Sequence, residues 1–330
     1  MRYKNKTKSI RVVLRLIVGL TTSLFVLSLT NALNAELVEE CGKELDEYGY
    51  FELTGNLNCS ETDKPAIKIT GNWVWLNLNG YTLSGNKDNV CIQIEGQGAK
   101  VYNGTVESCK EGIEIKPESG DNRITLIKSC NNKRRGFRIR GDKNQLSDCT
   151  ATNNGRKGFS IEGEEDERAN DNLLVKCLAK NNGHQGFIIE IGDGNDIYWS
   201  KAYANCRDGI EIDGGSYNQV LYNHVEDNGN KEVCDSFADD PTNPLDDYYY
   251  KPWYYAGIDI KAGSEMNPSE YNEIKYNHAC GNLGCNGSDE SICEARERNY
   301  WDENVNDEGN FASLNEWENN TVCPECTPGP

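Results

Sequence analysis

Glu162, Glu190 and Asp213 close three copies of one short string, GFSIE, GFIIE and GIEID, each four residues after its glycine. If these strings are strands, alternation points the first and third residues after the glycine inward and the second and fourth outward. Stacked at one strand spacing of about 4.8 Å, the three carboxylates would repel, so either one keeps a proton through a raised pKa or a cation lies between them. Adjacent copies would hold carboxyls about 5 Å apart and alternate copies nearly twice that, separations that also suit glycoside hydrolysis.

The preceding copy reverses the sign. NNKRRGFRIRGDK carries Lys133, Arg134, Arg135, Arg138, Arg140 and Lys143 against one acid, Asp142. Arginine forks suit carboxylate or sulfate groups, so Arg134 and Arg135 are candidate substrate binders, and Arg138 and Arg140 candidates to bind a carboxylate or act as base. Glu162, Glu190, Glu211 and Asp213 are the candidate acids, with calcium between Glu162, Glu190 and Asp213 as the alternative use of those side chains. His184 precedes Gly186 in NNGHQGF and is a further catalytic candidate, although its position holds Arg134, Arg156 and Arg207 in other copies. His224 and His278 each sit six residues after a recurring asparagine, which reads as a structural turn position.

What must position these residues is a repeat. Gly112, Gly136, Gly158, Gly186, Gly209 and Gly257 each open a strand-like string, and an asparagine two residues before an aliphatic follows each, at 122, 144, 172, 195, 218 and 272. A second asparagine recurs ten residues later, at 132, 154, 182, 205, 228 and 282. Self-similarity at 22 to 28 residues marks a solenoid. Short alternating β-branched and aromatic runs without helical periodicity make it a β-solenoid. Asparagine accepts the left-handed turn conformation, and stacked asparagine side chains can hydrogen-bond from rung to rung.

Two outward columns follow from the alternation: Glu114, Arg138, Ser160, Ile188, Glu211 and Asp259, then Lys116, Arg140, Glu162, Glu190, Asp213 and Lys261. The register breaks between Asn228 and Gly257, where an insertion at 229–256 carries Tyr250, Trp253 and Tyr254, flat side chains able to stack on sugar faces or to anchor the loop.

The ends and the composition set the compartment. Residues 1–35 hold six basic residues, no acid and an apolar stretch from Leu16 to Leu29, the pattern of a cleaved secretory signal peptide. Nothing later is apolar enough to span a bilayer, so no membrane insertion is expected after cleavage, and the location expected is extracellular, periplasmic or at the cell surface. The whole chain carries a net charge of −19, which repels nucleic acid and anionic membranes. Fourteen cysteines in such a chain imply several disulfides, among them Cys41 with Cys59 and a set drawn from Cys280, Cys285, Cys293, Cys323 and Cys326. The CPEC at 323–326 lacks the second pair that a zinc site needs.

The repeat from about Ala66 to Asn282 resembles the right-handed parallel β-helix repeat family of the pectate-lyase-like superfamily. The resemblance implies an all-β, right-handed parallel β-helix, organised as an N-terminal cap at 36–65, the helix at 66–284 and a disulfide-tied C-terminal cap at 285–330. It implies a carbohydrate-active protein, with an arginine or lysine base, calcium as cofactor and an acidic, uronate-containing polysaccharide as partner, processed by β-elimination or epimerisation. A monomer is expected. A non-catalytic surface solenoid for glycan binding or adhesion, and a glycoside hydrolase using stacked carboxylates, are the alternatives. The "NTD" and "RIK" strings of polygalacturonases and the "DPHD" string of mannuronan epimerases are missing from the sequence, "DD" occurs only within the insertion, at 239–240 and 246–247, and "RDGIEIDGGSYN" at 207–218 is too short to choose among the groups.

Overall fold

The computed structural model describes residues 35–238, 256–261, 269–280, 282–284, 296–297, 300–302 and 315–322. The expected signal peptide up to residue 34, the insertion aromatics Tyr250, Trp253 and Tyr254, and Cys285, Cys293, Cys323 and Cys326 lie outside them.

Short parallel strands stack rung upon rung into three columns. One column is a ten-stranded sheet that includes Glu111–Ile115, Phe137–Ile139, Phe159–Glu162, Phe187–Glu190, Ile210–Asp213 and Ile258–Ile260. The other two share the eight-residue strands Lys100–Glu107 and Arg123–Cys130, which turn the corner between them and join both columns into one nineteen-stranded sheet. The parallel ladder extends through both segments expected as caps. Glu36–Val38 pairs with Phe51–Leu53, Lys43–Leu45 with Ile67–Ile69, and at the other end Tyr300–Asp302 pairs with Ile258–Ile260 and Glu316–Glu318 with Glu273–Lys275.

The alternation inferred from sequence is the one observed. Ile139, Ile161, Ile189, Ile212 and Ile260 point into a fully buried interior. Phe137, Phe159 and Phe187 stack there with ring centroids 4.7 and 4.9 Å apart and nearly parallel planes. Each stacking contact of this kind is worth about 0.5–1.5 kcal/mol beyond area burial. Phe159→Leu, which keeps most of the apolar volume but removes both contacts, should therefore cost about 1–3 kcal/mol in urea denaturation.

Three asparagine ladders run along the turns, one of them through Ser200, Asn223, Asn277 and Asn320, each of the first three donating its backbone N–H to the next side-chain oxygen. Asn122, Asn144, Asn172 and Asn195 each donate their backbone N–H to the side-chain oxygen of the next rung's asparagine. Asn132, Asn154, Asn182, Asn205 and Asn228 do the same, and these five, like Asn122, Asn144 and Asn172, also donate a side-chain amide bond to that oxygen. The left-handed turn residue is not the ladder asparagine but its neighbour: Asn131, Asn153 and Asn181 have φ between 53° and 56°. The repeat glycine is required by close approach. A Cβ on Gly158 would sit 2.5 Å from the carbonyl oxygen of Gly186, so the rungs could not stack there with any side chain.

Among the described residues Cys41 pairs with Cys59 as expected, Cys91 with Cys109 and Cys206 with Cys234, and Cys280 is also disulfide-bonded. Cys130, Cys149 and Cys177 are buried free thiols.

Candidate functional site

The charged columns stand in register on the outer surface of the ten-stranded sheet. Glu114 pairs with Arg138, Arg138 with Ser160, Ser160 with Ile188, Ile188 with Glu211 and Glu211 with Asp259, while Glu162, Glu190 and Asp213 follow one another in the second column. Pointing outward does not leave these groups in water. Glu114, Glu162, Glu211 and Asp259 are all buried, because a third column lies against them. That column is the residue before each repeat glycine, Glu111, Arg135, Lys157, Gln185 and Asp208, and a sequence reading centred on strand alternation passes over it.

Ion pairs link the three columns. Glu162 accepts hydrogen bonds from Arg135 Nε at 2.6 Å, Arg138 Nε at 2.7 Å, Lys157 Nζ at 3.2 Å and Ser160 Oγ at 2.5 Å. Arg135 also reaches Glu111 at 3.1 Å, Arg138 reaches Glu114 at 3.1 Å, and Lys157 bridges to Glu190 at 2.5 Å. Burial pushes the Glu162 carboxyl up, but Lys157, Arg135 and Arg138 together outweigh it and hold the group ionised well below the usual range. Burial likewise opposes the Arg138 charge, and Glu162 and Glu114 overcome it. Arg140 bonds to Glu164, whose side chain is 65 % exposed.

Arg135, Arg138, Arg140, Glu162, Glu190 and Asp213 thus line one cleft of about 500 Å³, joined by Lys157. Glu211 belongs elsewhere. Separated from Ser160 by the buried side chain of Ile188, it meets Asp208 and Asp259, and carboxylate oxygens of these three buried acids lie within 4.8 Å of one another. Gln185 donates from Nε2 to Glu211 at 2.9 Å, and its own Oε1 is buried without a protein partner. Lys261 approaches Asp259 at 2.6 Å. Burial, with Glu211 and Asp259 adding to it, raises the Asp208 carboxyl far above the ordinary range. Arg134 lies half-buried at the edge, its Nε 3.7 Å from Glu111.

His184 is 9 % exposed and its Nε2 is buried without a partner. Burial first, then Arg207, Lys157, Arg156 and Arg135, keep the ring neutral well below its ordinary value of 6.5. A histidine whose folded pKa is depressed binds its proton more readily in the unfolded chain. Its contribution is present above 6.5 and is lost as pH falls below that value. His184→Gln should flatten the fall in stability between about pH 7 and about pH 5, followed by thermal unfolding; an unchanged slope would show that the ring carries no such penalty.

The sequence profile of the family described as right handed beta helix region matches residues 111–294, more than half of the chain. The chain belongs to the right-handed β-helix family. A search of curated protein sequences gives no significant match. Among solved structures, this β-helix is similar to the A-module of the mannuronan C-5 epimerase AlgE4 of Azotobacter vinelandii, with a TM-score of 0.52, 12 % identity and coverage of 88 % of this chain and 86 % of that one. A point mutant of the periplasmic alginate epimerase AlgG gives 0.50 at 14 % identity, covering 85 % and 73 %. The enzymatically active domain of bacteriophage CBA120 tailspike protein 2 gives 0.51 at 9 % identity, covering 85 % of this chain and 43 % of the tailspike. At these identities the likeness establishes the fold.

Proposed function

We propose that this β-helix acts on an acidic, uronate-containing polysaccharide by removing the proton beside the uronate carboxylate, with β-elimination or epimerisation as the outcome. One observation carries the reading: Arg135, Arg138, Arg140 and Lys157 converge on a single cleft beside the acids Glu162, Glu164, Glu165, Glu190 and Asp213, so that groups able to bind a carboxylate and groups able to move a proton share one site. The names of two structural neighbours, a mannuronan epimerase and an alginate epimerase, support the same substrate class.

The roles follow from the partners. Arg138, held charged by Glu162 and Glu114, neutralises a substrate carboxylate and does not take a proton. Arg140 needs only to exchange the exposed Glu164 for that carboxylate. Glu162 stays ionised and anchors the cations, so the proton donor falls to Glu190 or Asp213 on the same cleft. His184 is not among the residues that line the cleft, and its buried ring, flanked by cations, is a poor proton acceptor; in this reading whichever of Glu190 and Asp213 is not the donor takes the proton.

Calcium fits one of two sets of residues. Glu162 already accepts from three cations and a hydroxyl, which leaves the set Glu162, Glu190 and Asp213 poorly placed for it. Asp208, Glu211 and Asp259 bring carboxylate oxygens within 4.8 Å of one another with the orphaned Gln185 Oε1 beside them, but Lys261 Nζ already lies 2.6 Å from Asp259, so calcium would have to displace that ammonium. A cation there would add to the positive charge available to a uronate. Secretion belongs to the same proposal, supported by the disulfides. No helix among the described residues is long and apolar enough to cross a membrane.

The test is ultraviolet absorbance and NMR of pectate and alginate incubated with the protein, with calcium and with chelator. An unsaturated uronyl product or a changed sugar epimer is expected, and Arg140→Gln should lower turnover about 100-fold or more, the scale of losing one preorganised charge-stabilising donor. Binding without turnover would favour the adhesive solenoid. Chain shortening without unsaturation would favour hydrolysis.

A further inference from the structure

The ladder through Ser200, Asn223, Asn277 and Asn320 begins on sulfur. The two rungs before Ser200 carry Cys149 and Cys177 at the same position, five residues after Asn144 and Asn172. Ser147 pairs with Val175 and Thr150 with Leu178, which sets Cys149 opposite Cys177 across one rung spacing, about 4.8 Å. From Cys177 onward each backbone N–H donates to a side-chain oxygen of the next rung, at 3.1 Å from Cys177 to Ser200 and 2.8 Å from Ser200 to Asn223. The Cys149 N–H donates instead to the sulfur of Cys177.

Hydrogen bonding does not account for this choice. A thiol is a weak donor and its sulfur a weak acceptor, and the later rungs show that serine and asparagine fit the same position. A free cysteine packs as a small apolar residue, but that role does not require two of them face to face. Both are buried, at 1 % and 2 % exposure, and both thiols point the same way along the axis. Cys149 Sγ lies 3.5 Å from the carbonyl oxygen of Ile124, and Cys177 Sγ lies 3.6 Å from that of Leu146, the residue paired with Ile124. The two thiols are therefore stacked neighbours, hydrogen-bonded to each other.

We propose that Cys149 and Cys177 are an oxidation site, joined by a rung-to-rung disulfide when the chain folds in the presence of a small-molecule disulfide. One rung spacing lies inside the range of about 4.4–6.8 Å that a disulfide spans between Cα atoms, and Cys206 and Cys234 are joined in this chain at 4.7 Å. The step is an exchange: two S–H bonds are lost and one S–S bond forms, while two protons and two electrons pass to the small disulfide, which leaves as two thiols. Burial, and next the Cys149 thiol, push the Cys177 thiol well above its ordinary range, so thiolate is scarce once the rungs have closed. The bond therefore forms before closure, and a chain folded without oxidant keeps the pair reduced. It ties the rung of Arg138 to the rung of Glu162, whose contact at 2.7 Å organises the cleft.

Peptide mapping tests this on the full chain, folded with a mixture of reduced and oxidised glutathione and then alkylated in denaturant without reductant. The expected product is a peptide pair joining Cys149 to Cys177, lighter by two hydrogens than the two free peptides together. Replacing both residues by serine, the residue of the next rung, keeps the ladder and removes the bond. The double variant Cys149→Ser, Cys177→Ser should melt about 5–10 °C below the oxidised wild type, the scale of losing one native cross-link.

The outcomes that overturn it are equally definite. One is recovery of Cys149 and Cys177 both alkylated from protein in which Cys41–Cys59, Cys91–Cys109 and Cys206–Cys234 are intact. Another is a peptide linking either residue to Cys130. A double variant that melts at or above the wild-type temperature also counts against it, because serine then serves the ladder and no covalent bond has been lost. The peptide map needs no variant, so it decides the matter even where the serine chain fails to fold. The uronate reading stands or falls separately, on turnover.

Discussion

Glu162→Gln is expected to abolish turnover and to destabilise the protein by about 3–5 kcal/mol, the usual result of deleting one partner of a buried ion pair. The carboxylate is the common anchor of Arg135, Arg138 and Lys157, and only 9 % of its side chain is exposed. Glutamine keeps the volume but removes the charge, leaving three cations crowded around a neutral amide. Two of them, Arg135 and Arg138, retain glutamates 111 and 114, so the loss falls most heavily on the geometry that aims them at the cleft.

The pH dependence gives an independent check. The Glu162 pKa is depressed in the folded protein, so its stabilisation is present above the ordinary value of 4.5 and disappears as pH falls through the lower folded value. The gap in urea midpoint between wild type and variant should be wide at neutral pH and narrow in acid. A variant as stable as the wild type at neutral pH would show that the carboxylate is not the anchor.

Asn182→Leu should cost as much without touching the cleft. Asn182 is fully buried and works in both directions along its ladder. Its side-chain oxygen accepts from Asn154 N at 3.1 Å and Asn154 Nδ2 at 2.9 Å, and its own amide donates to Asn205 Oδ1 at 2.9 Å and to the carbonyl of Ala151 at 3.2 Å. Leucine has a similar size but takes a partner from the Asn154 backbone and side-chain donors and from the Ala151 carbonyl on one rung and from Asn205 Oδ1 on the next, each group left unpaired costing about 1–3 kcal/mol. The sum is about 3 kcal/mol or more, read as a shift in the denaturation midpoint. A loss below about 1 kcal/mol would mean that water or neighbouring side chains replace the ladder bonds.

The solenoid was legible in the sequence because each rung must solve the same packing problem. Gly158 and Gly186 recur since any Cβ there would strike the next rung, and Asn154, Asn182 and Asn205 recur since each satisfies the one before. The pairing of Glu114 with Arg138, and of Glu162 with Glu190 and Asp213, followed from that register. The end rungs were less legible. Glu36–Val38 and Tyr300–Asp302 pair in parallel with the repeat yet lack its glycine–asparagine spacing. Asn315 and Asn320 carry on the ladders from Asn272 and Asn277, but from outside the periodic stretch.

Part of the site was legible and part was not. Alternation separates inward from outward, but it does not say which outward groups bury one another. Lys157, Gln185 and Asp208 occupy a position that reads as turn, and only the folded register shows them completing the cleft and the acid cluster. A comparison of the residue before each repeat glycine, copy by copy, would have exposed that column. The same limit applies to cysteine: Cys149 and Cys177 stand in the repeat as ladder-like positions, and their burial as free thiols depends on interior packing rather than on spacing.

The measurement closest to the central claim is the fate of the hydrogen beside the carboxylate. Polyuronate incubated with the protein in deuterium oxide should lose the proton signal of that carbon, through deuterium incorporation in an epimerised sugar or through formation of an unsaturated product, and Arg140→Gln should suppress the loss. A polymer recovered with that proton intact, whether merely bound or cut into shorter chains, would contradict it.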